Sequence, residues 1–285
     1  MRFYVATGFL DTSELVEIAK AADELGYDGM GIPDHIVNLE SLSTPYPYTR
    51  DGKRRWQPFT HWPDPWVLVG ALAQATTRLK FVTTVYIPAM RDPYAAAKAI
   101  GTAAFLAGGR LELGVGVGWC RDEFDLVGQP FERRGKRTDE MLTLMRELWA
   151  PGWTEFSGEF YTTPRLEMEP SPPHIPIYVG GLSEVALRRA ARNDGWIGDL
   201  VSTERALASV ARLRELRAES GLAMDDFTVI TALTDAVKIA DYERAEAGGI
   251  THILTMPWAF YTGLDCTLAE KIDGLKRFRK DLALD

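Results

Sequence analysis

The stretch GGRLELGVGVGW, residues 108–119, decides how this chain of 285 residues is interpreted. Its central part, RLELGVGVG, is apolar and strand-like, with glycine at positions 114, 116 and 118. A dinucleotide fingerprint G-x-G-x-x-G that begins at Gly114 needs glycine at position 119, where this chain has Trp119. Two explanations of the glycines remain open. They relieve crowding where the strand leaves its sheet, or they let the backbone approach a large flat group that a Cβ atom would exclude.

Strand-like and helix-like stretches alternate along the whole sequence. The predicted strands are residues 2–8, 27–34, 79–87, 110–118, 175–181, 195–199, 227–232 and 251–256. The predicted helices are residues 11–26, 64–77, 92–109, 137–149, 183–193, 204–219, 235–247 and 267–282. Parallel strands with helical crossovers account for this alternation, and closing them into a barrel removes both sheet edges. The pattern predicts a single-domain TIM (β/α)8 barrel over residues 1–285, with a doubly wound open sheet as the alternative.

Two segments interrupt the eight-fold alternation. The longer one, residues 37–63, is an insertion after the second strand that is rich in proline and aromatic residues. Because loops after barrel strands lie on the catalytic face, this insertion is predicted to be a substrate lid. Its aromatic residues Tyr46, Tyr48, Trp56 and Trp62 either line a flat or apolar substrate or, as the alternative favoured for most of them, only pack within the lid. The other segment, residues 150–174, contains a predicted hairpin around FSGEFY.

Composition and charge argue against several classes of function. The formal net charge of −8 offers little attraction to nucleic acid or to an anionic membrane. No apolar run approaches the roughly 18 residues of a membrane span, and Met1 leads into a strand pattern rather than a signal peptide. The two cysteines, Cys120 and Cys266, form no CxxC pair. These features predict a cytoplasmic protein with free thiols.

Metal and hydrolytic chemistry have little support in the sequence. The histidines show no HExxH or similar ligand spacing, so no metal site is predicted. They are His35, His61, His174 and His252. A barrel hydrolase would need two facing carboxylates, a geometry that sequence cannot measure. The residues able to supply them are Asp34, Asp122, Glu123 and Asp199.

A second pair of glycines ends the predicted strand at 175–181. It is followed by Leu182 and by Ser183, which stands at the N-cap position of the next helix. Backbone N–H groups at a helix N-terminus bind anions, and the loops after later barrel strands commonly hold phosphate. The residues Gly180, Gly181, Leu182 and Ser183 are therefore predicted to cradle a phosphate, with a plain capped helix as the alternative.

Four segments resemble the luciferase-like monooxygenase superfamily, in particular its branch of deazaflavin (coenzyme F420)-dependent oxidoreductases. They are GYDGMGIPDH (26–35), VTTVYIPAMRDPYAAAKAIGTAAFLAGGRLELGVGVGW (82–119), RGKRTDEMLTLMRELW (134–149) and IPIYVGG with ALRRAARNDGW (175–196). The resemblance implies a TIM barrel that binds a flavin or 5-deazaflavin coenzyme at the carboxyl ends of its strands. It also implies a homodimer, for which the predicted helices at 93–107 and 137–149 have enough alanine and leucine.

The resemblance assigns coenzyme contacts to individual residues. It implies a bulge with a cis non-prolyl peptide bond within Thr83, Thr84 and Val85, behind the central ring. The loop beside the ring and the ribityl chain is matched by Gly116, Val117, Gly118 and Trp119. The glycines Gly180 and Gly181 match the phosphate loop.

The resemblance also implies a catalytic pair. His35 matches a histidine that some members place near the hydride-transfer centre, and imidazole exchanges protons near neutral pH. A histidine that only orients the lid is the alternative. Asp34 would orient the ring or accept hydrogen bonds from ligand hydroxyls. The implied reaction is hydride transfer between C5 of the deazaflavin and a small organic substrate, with His35 exchanging the accompanying proton.

Two departures from the resemblance bear on the substrate. Members that oxidise glucose 6-phosphate carry a tryptophan four residues after the histidine and a glutamate directly after the glycine loop. This chain has Leu39 and Trp119 at those positions, so sugar-phosphate dehydrogenation is not expected. Coenzyme F420 is the favoured coenzyme and FMN the alternative. The alternative functions are an FMN-dependent monooxygenase and a non-catalytic flavin-binding protein.

Overall fold

Ten strands and nine helices are present in the computed structural model, which describes residues 1–283. The strands are β1 (Arg2–Ala6), β2 (Gly29–Ile32), β3 (Lys80–Thr83), β4 (Leu111–Val115), β5 (Thr154–Ser157), β6 (Thr162–Leu166), β7 (Ile177–Gly180), β8 (Gly195–Val201), β9 (Thr228–Leu233) and β10 (His252–Thr255). The helices are α1 (Leu15–Glu24), α2 (Pro65–Ala75), α3 (Pro93–Leu106), α4 (Arg121–Leu126), α5 (Arg134–Trp149), α6 (Glu184–Ala190), α7 (Thr203–Glu219), α8 (Ile239–Ala247) and α9 (Leu268–Asp281).

Eight of the strands form a closed barrel in the order β1-β10-β9-β8-β7-β4-β3-β2, and every neighbouring pair is parallel. The remaining two, β5 and β6, form an antiparallel hairpin outside it, where the sequence FSGEFY predicts one. The predicted TIM (β/α)8 barrel is confirmed, and the open-sheet alternative is wrong because β1 pairs with both β2 and β10. No helix within residues 1–283 is long and apolar enough to cross a membrane.

The helices begin where the sequence provides caps. Asp64 and Asp92 each accept two backbone N–H bonds at the start of α2 and α3, and a proline follows each of them at the first helical position. Thr267 and Glu270 form a reciprocal capping box at the start of α9. These caps fix helix starts at 65, 93 and 268, close to the predicted ones.

Three differences from the predicted elements have a local cause. Helix α5 starts at Arg134 instead of 137, directly after Arg133 in a left-handed conformation (φ 57°). The six-residue helix α4 is not predicted at all, since six residues hold too little periodicity to read. Within the predicted strand at 79–87, regular strand pairing ends at Thr83, because the chain then bulges out of the sheet.

The core has two layers. One lies inside the barrel, where Tyr4, Val82, Tyr178, Ile197 and Ile230 pack together. The larger layer lies between the strands and the surrounding helices. Such layering is what a sheet buried on both faces requires.

The buried carboxylate of Glu112 lies in the barrel interior with its oxygens paired. It accepts hydrogen bonds from the Tyr4 hydroxyl at 2.8 Å and from Lys80 Nζ at 2.9 Å. A buried charge needs such partners to persist. This pairing gives Glu112 a structural role.

The two helices expected to serve a homodimer differ in what they expose. Helix α5 buries its apolar residues, including Met141 and Leu144, against the barrel. Helix α3 leaves Phe105 and Leu106 about half exposed, and Val67 on α2 is also exposed. An apolar surface on the outside of the barrel is therefore offered by α3 and not by α5.

His252, at the start of β10, is buried at the edge of the Tyr4 ring. Its Nδ1 lies 2.6 Å from Thr251 Oγ1, whereas its Nε2 has no hydrogen-bond partner among residues 1–283. Burial, followed by the positive charges of Arg2 and Lys80, lowers the pKa of His252 from 6.5 to about 3. The native state therefore excludes the protonated imidazole.

This exclusion predicts a pH-dependent loss of stability. A histidine with a depressed native pKa contributes stability above its unfolded pKa and loses it as pH falls from 6.5 towards 3. Between pH 7 and pH 5 the wild type should lose about 2 kcal/mol more unfolding free energy than His252→Gln. Urea unfolding at both pH values measures this difference. The exposed His174 provides the control, since His174→Gln should keep the wild-type loss, and equal losses in wild type and His252→Gln would contradict the assignment.

Candidate active site

A backbone bulge after β3 forms one side of the barrel mouth. The Thr84–Val85 peptide bond is cis, at the place that the family resemblance implies. The Thr84 amide donates to Ile32 O at 2.7 Å, and pairing with β4 resumes at Tyr86, which bridges to Val115. Below the bulge, the buried Thr83 hydroxyl donates to the Gly114 carbonyl at 2.7 Å.

Glycines surround the bulge because side chains would collide with it. A Cβ atom on Gly116 would lie 2.6 Å from Val85 Cγ2, and one on Gly180 would lie 2.7 Å from Val85 Cγ1. On Gly114 the added atom would lie 1.8 Å from the Thr83 carbonyl oxygen. Crowding by the bulge therefore accounts for all three glycines. This finding favours the first of the two explanations that the sequence left open.

The loop after β4 turns sharply at Gly118, which has a φ of +79°. Its carbonyl accepts a hydrogen bond from Arg134 Nε at 2.9 Å, so the start of α5 fixes the turn. The neighbouring Val117 and Trp119 are partly exposed. The indole of Trp119 is 6.2 Å from the imidazole of His35, measured between ring centroids, so this loop joins the surroundings of the histidine.

His35 is held by a buried glutamate of the short helix α4. Its Nδ1 donates to Glu123 Oε2 at 2.9 Å, and Glu123 Oε1 accepts the backbone amide of Ile36 at 2.9 Å. Burial opposes ionisation of Glu123, but the hydrogen bonds from His35 and the backbone hold the pKa of its carboxyl below the usual value. Because an ionised carboxylate only accepts hydrogen bonds, Nδ1 carries a proton and Nε2 is the ring nitrogen left for other partners.

Aromatic rings of the insertion surround His35. The rings of Trp56 and Trp62 lie 4.9 and 4.8 Å from the imidazole, and Tyr46 lies 5.1 Å from Trp119. The cavity beside His35 measures only about 10 Å³, roughly the space of one water. In this conformation the insertion therefore packs directly on the barrel mouth, as a lid does.

An ion pair fastens this lid to the opposite side of the barrel. Arg55 donates to both carboxylate oxygens of Asp199 on β8, at 2.7 and 2.8 Å. The same guanidinium lies over the ring of Tyr46. Arg54 contacts the carbonyl of Leu39 and the side chain of Asn38, which also accepts from Trp56 Nε1 at 3.2 Å. Hydrogen bonds thus connect residues within the lid and also attach the lid to β8.

Asp34 is buried beneath the mouth and is fully engaged by protein groups. Its two oxygens accept from the two terminal nitrogens of Arg91, each at 2.7 Å, and one of them also accepts the Ile87 amide at 3.1 Å. Burial raises the pKa of the Asp34 carboxyl, and the Arg91 guanidinium opposes that shift. The carboxylate fixes the chain that leaves the bulge, next to His35.

The loop after β7 is built as a helix cap. Ser183 Oγ accepts the Ala186 amide at 3.3 Å, the Gly181 amide donates to Ile197 O at 3.2 Å, and Trp196 Nε1 donates to Gly181 O at 2.8 Å. Leu182 and Ser183 remain accessible at the surface.

The first turn of α6 also carries an acid that bears on anion binding. Glu184 stands there, and Arg188 and Arg212 each lie within 2.8 Å of its Oε1. Its negative charge is therefore offset by two guanidinium groups at the entrance to this loop.

Sequence reasoning missed the partners that position these groups. Glu123 was considered only as a hydrolase carboxylate, and neither Arg91 nor the pair of Arg55 with Asp199 was identified. Each pair joins positions far apart in sequence, so no local pattern reveals it.

The four carboxylates considered for a hydrolase are each engaged by a different group. Asp34 is bound to Arg91, Asp122 to the Ser43 amide, Glu123 to His35 and Asp199 to Arg55. Over the described part of the chain, no group of three or more His, Cys, Asp or Glu side chains is arranged to hold a metal ion. The geometry instead defines a barrel whose mouth combines a glycine-flanked bulge, a clamped histidine and an aromatic lid.

Comparisons with known proteins identify the family to which this barrel belongs. Residues 4–262 match the family model described as luciferase-like monooxygenase. An uncharacterized protein of Mycobacterium tuberculosis strain H37Rv is 38% identical over 99% of this chain and 99% of its own. An F420-dependent glucose-6-phosphate dehydrogenase of Gordonia bronchialis is 34% identical over 66% of this chain and 53% of its own.

Among solved structures, the monooxygenase RslO1 from Streptomyces bottropensis is similar over 99% of both chains. Its TM-score is 0.74 at 18% sequence identity, a likeness of fold. Together with the family match, these findings show that the chain belongs to the luciferase-like monooxygenase family.

The crowding around Val85 predicts a specific coupling. Gly116→Ala should destabilise the protein by about 1–3 kcal/mol, because its methyl group overlaps Val85. Val85→Ala in the same chain should relieve much of that cost, so the two changes should not be additive in urea unfolding. Gly70 has no atom within 4 Å of its missing Cβ, so Gly70→Ala in α2 should be neutral or stabilising. Strictly additive effects at 85 and 116 would contradict the packing.

Proposed function

We propose that the protein is an oxidoreductase that transfers a hydride between coenzyme F420 and a small organic substrate. One observation carries this proposal. In this member of the family, the half-buried Val85 lies between Gly116 and Gly180, in the same mouth as His35. The identity with a dehydrogenase named for F420 dependence supports the choice of coenzyme. A deazaflavin supplies a carbon centre that accepts or donates a hydride.

We assign the flat ring of the coenzyme to the mouth beside Val85, which the insertion covers in this conformation. Val85 is flanked by Gly116 after β4 and by Gly180 on β7, and neither of these adds a side chain beside it. We assign Thr84, Val85 and the loop Gly116–Trp119 to the face and edge of the ring. Thr83 supports the bulge from below through its bond to Gly114 O.

We assign the phosphate of the coenzyme to Gly180, Gly181, Leu182 and Ser183. The loop is held from behind by Trp196 and Ile197, which leaves Leu182 and Ser183 at the surface. Backbone N–H groups at a helix start favour an anion. The charge of Glu184 opposes this role, and its pairing with Arg188 and Arg212 offsets that opposition.

His35 exchanges the proton that accompanies hydride transfer, through Nε2. Glu123 is a positioning residue, since it holds Nδ1 and two residues of the adjoining backbone. Asp34 is a second positioning residue, because its oxygens are committed to Arg91 and Ile87. In this assignment the acid–base work belongs to His35 alone.

The lid excludes water and selects the substrate. The rings of Trp56 and Trp62 form its surface towards His35, and the charge of Arg55 is paired with that of Asp199. Uncharged substrates with an apolar or flat body suit such a surface, because aromatic side chains bury large areas with few rotatable bonds. A sugar phosphate does not, which agrees with Leu39 and Trp119 at the two departing positions.

Parallel titration of the purified protein with coenzyme F420 and with FMN tests the coenzyme. Fluorescence monitors the titrations. We expect tight one-to-one binding of F420 and weaker binding of FMN. The reverse preference would replace the proposal with an FMN-dependent monooxygenase. Ser183→Ala and Gly181→Val should weaken F420 binding, whereas Ser202→Ala, which removes the same kind of cap from α7, should not. Binding of neither coenzyme by folded protein would refute the proposal.

Substitution of the clamped histidine separates chemistry from binding. With a substrate found by screening uncharged alcohols and ketones, His35→Gln should lower kcat by about 100-fold or more. Its affinity for the coenzyme should remain close to that of the wild type. Glu123→Gln should lower kcat and the folding stability together, because the new amide cannot accept from both His35 and the backbone. The control Asp125→Asn, at an exposed position of the same helix, should change neither. Unchanged kcat in His35→Gln would assign the histidine to the lid instead.

A further inference from the structure

A cleft of about 570 Å³ opens on the flank of the barrel and shares no lining residue with the small cavity beside His35. Its walls come from the start of α3, the loop between α4 and α5, and the tip of the β5–β6 hairpin. The apolar residues that line it are Pro93, Tyr94, Pro130, Phe160 and Tyr161. Its volume lies in the range of pockets that hold small organic molecules, and far exceeds the space of a lone inorganic ion.

The charged residues of this flank cleft are unequally paired. Glu132 pairs with Arg121, Arg133 contacts Glu159, and the carboxylate of Asp92 caps α3. Arg137 has no carboxylate within 4.0 Å among residues 1–283. It is therefore the one cation of the cleft without an opposite charge in the described chain.

Arg137 is nevertheless only 6% exposed. Its Nη2 donates to the carbonyls of Ala89 and Pro130, and its Nε has no hydrogen-bond partner within the described residues. A buried guanidinium keeps its charge at neutral pH, and burial without a counter-ion is costly. The two carbonyls hold the group in place and leave its full charge uncompensated.

We propose that the flank cleft binds a small organic carboxylate, with the carboxylate at Arg137 and a flat apolar body against Phe160 and Tyr161. The guanidinium suits a carboxylate because its N–H groups form charge-assisted hydrogen bonds to planar oxyanions. The aromatic and proline walls bury a flat ring. The acids Asp92 and Glu132 at the same cleft disfavour a dianion such as phosphate.

The residues that line this cleft include none of those assigned to the coenzyme. The link between them is structural, because Arg137 holds the carbonyl of Ala89, two residues after Ile87. The segment 87–91 anchors Asp34 at the mouth. The cleft thus lies behind the segment that fixes one side of the barrel mouth.

Fluorine NMR titration with 4-fluorobenzoate tests the proposal on the full-length protein. We expect saturable one-to-one binding, and binding of the neutral 4-fluorobenzamide weaker by at least about tenfold. Arg137→Gln should weaken 4-fluorobenzoate binding by a similar factor. Arg146→Gln, on the exposed face of the same helix, is the matched control and should bind as the wild type does.

Phe160→Ala keeps the guanidinium and its two carbonyl bonds, so it tests the cleft even where Arg137→Gln fails to fold. It should weaken 4-fluorobenzoate binding several-fold in folded protein. The proposal is overturned by absence of saturable binding to the wild type, or by equal affinity for the benzamide. Displacement of 4-fluorobenzoate by equimolar inorganic phosphate would overturn the assignment to an organic monoanion. Unchanged affinity in folded Arg137→Gln or Phe160→Ala would place the binding elsewhere.

Discussion

Steric exclusion around Val85 is the constraint on which the site depends. The bulge that carries this residue fits against the ends of β4 and β7 only because positions 116 and 180 lack side chains. With the bulge in place, the chain resumes pairing at Tyr86 and reaches Ile87, whose amide holds Asp34. The position of the residue before His35 thus follows from contacts between three neighbouring strands. A close-packed interior transmits such contacts because it has little free volume to absorb a displacement.

The other half of the site is built from loops, and polar bonds tie these to the barrel. Glu123 joins the loop after β4 to the loop after β2, and Asp199 joins β8 to the lid. The two carboxylates do different work. Glu123 is buried and has three donors around it, so it fixes geometry. Asp199 and Arg55 are partly exposed, so their pair adds only modest stability.

The sequence was sufficient for the fold because each strand and helix carries its own local signal. Periodicity, caps such as Asp92 with Pro93, and terminal glycines place eight units along the chain without any distant contact. The site was accessible only in part. Gly116 and Gly180 stand out in the sequence, but their reason is Val85, which lies 31 and 95 positions away. The clamp of Glu123 on His35 spans 88 positions, and its residue types are too common to signal a pair. Resemblance supplied the cis peptide position, whereas the roles of the coenzyme residues remain predictions.

The packing around the bulge also restricts the order in which this site can change during evolution. A methyl group at position 116 or 180 overlaps a β-branched side chain at position 85. The side chain at 85 must therefore become smaller before either glycine is replaced by alanine. The reverse order passes through a protein with overlapping atoms. Since each glycine touches a different γ-carbon of Val85, one such reduction opens both positions at once. Diversification of this side of the mouth is therefore expected to begin at position 85 and to spread from there.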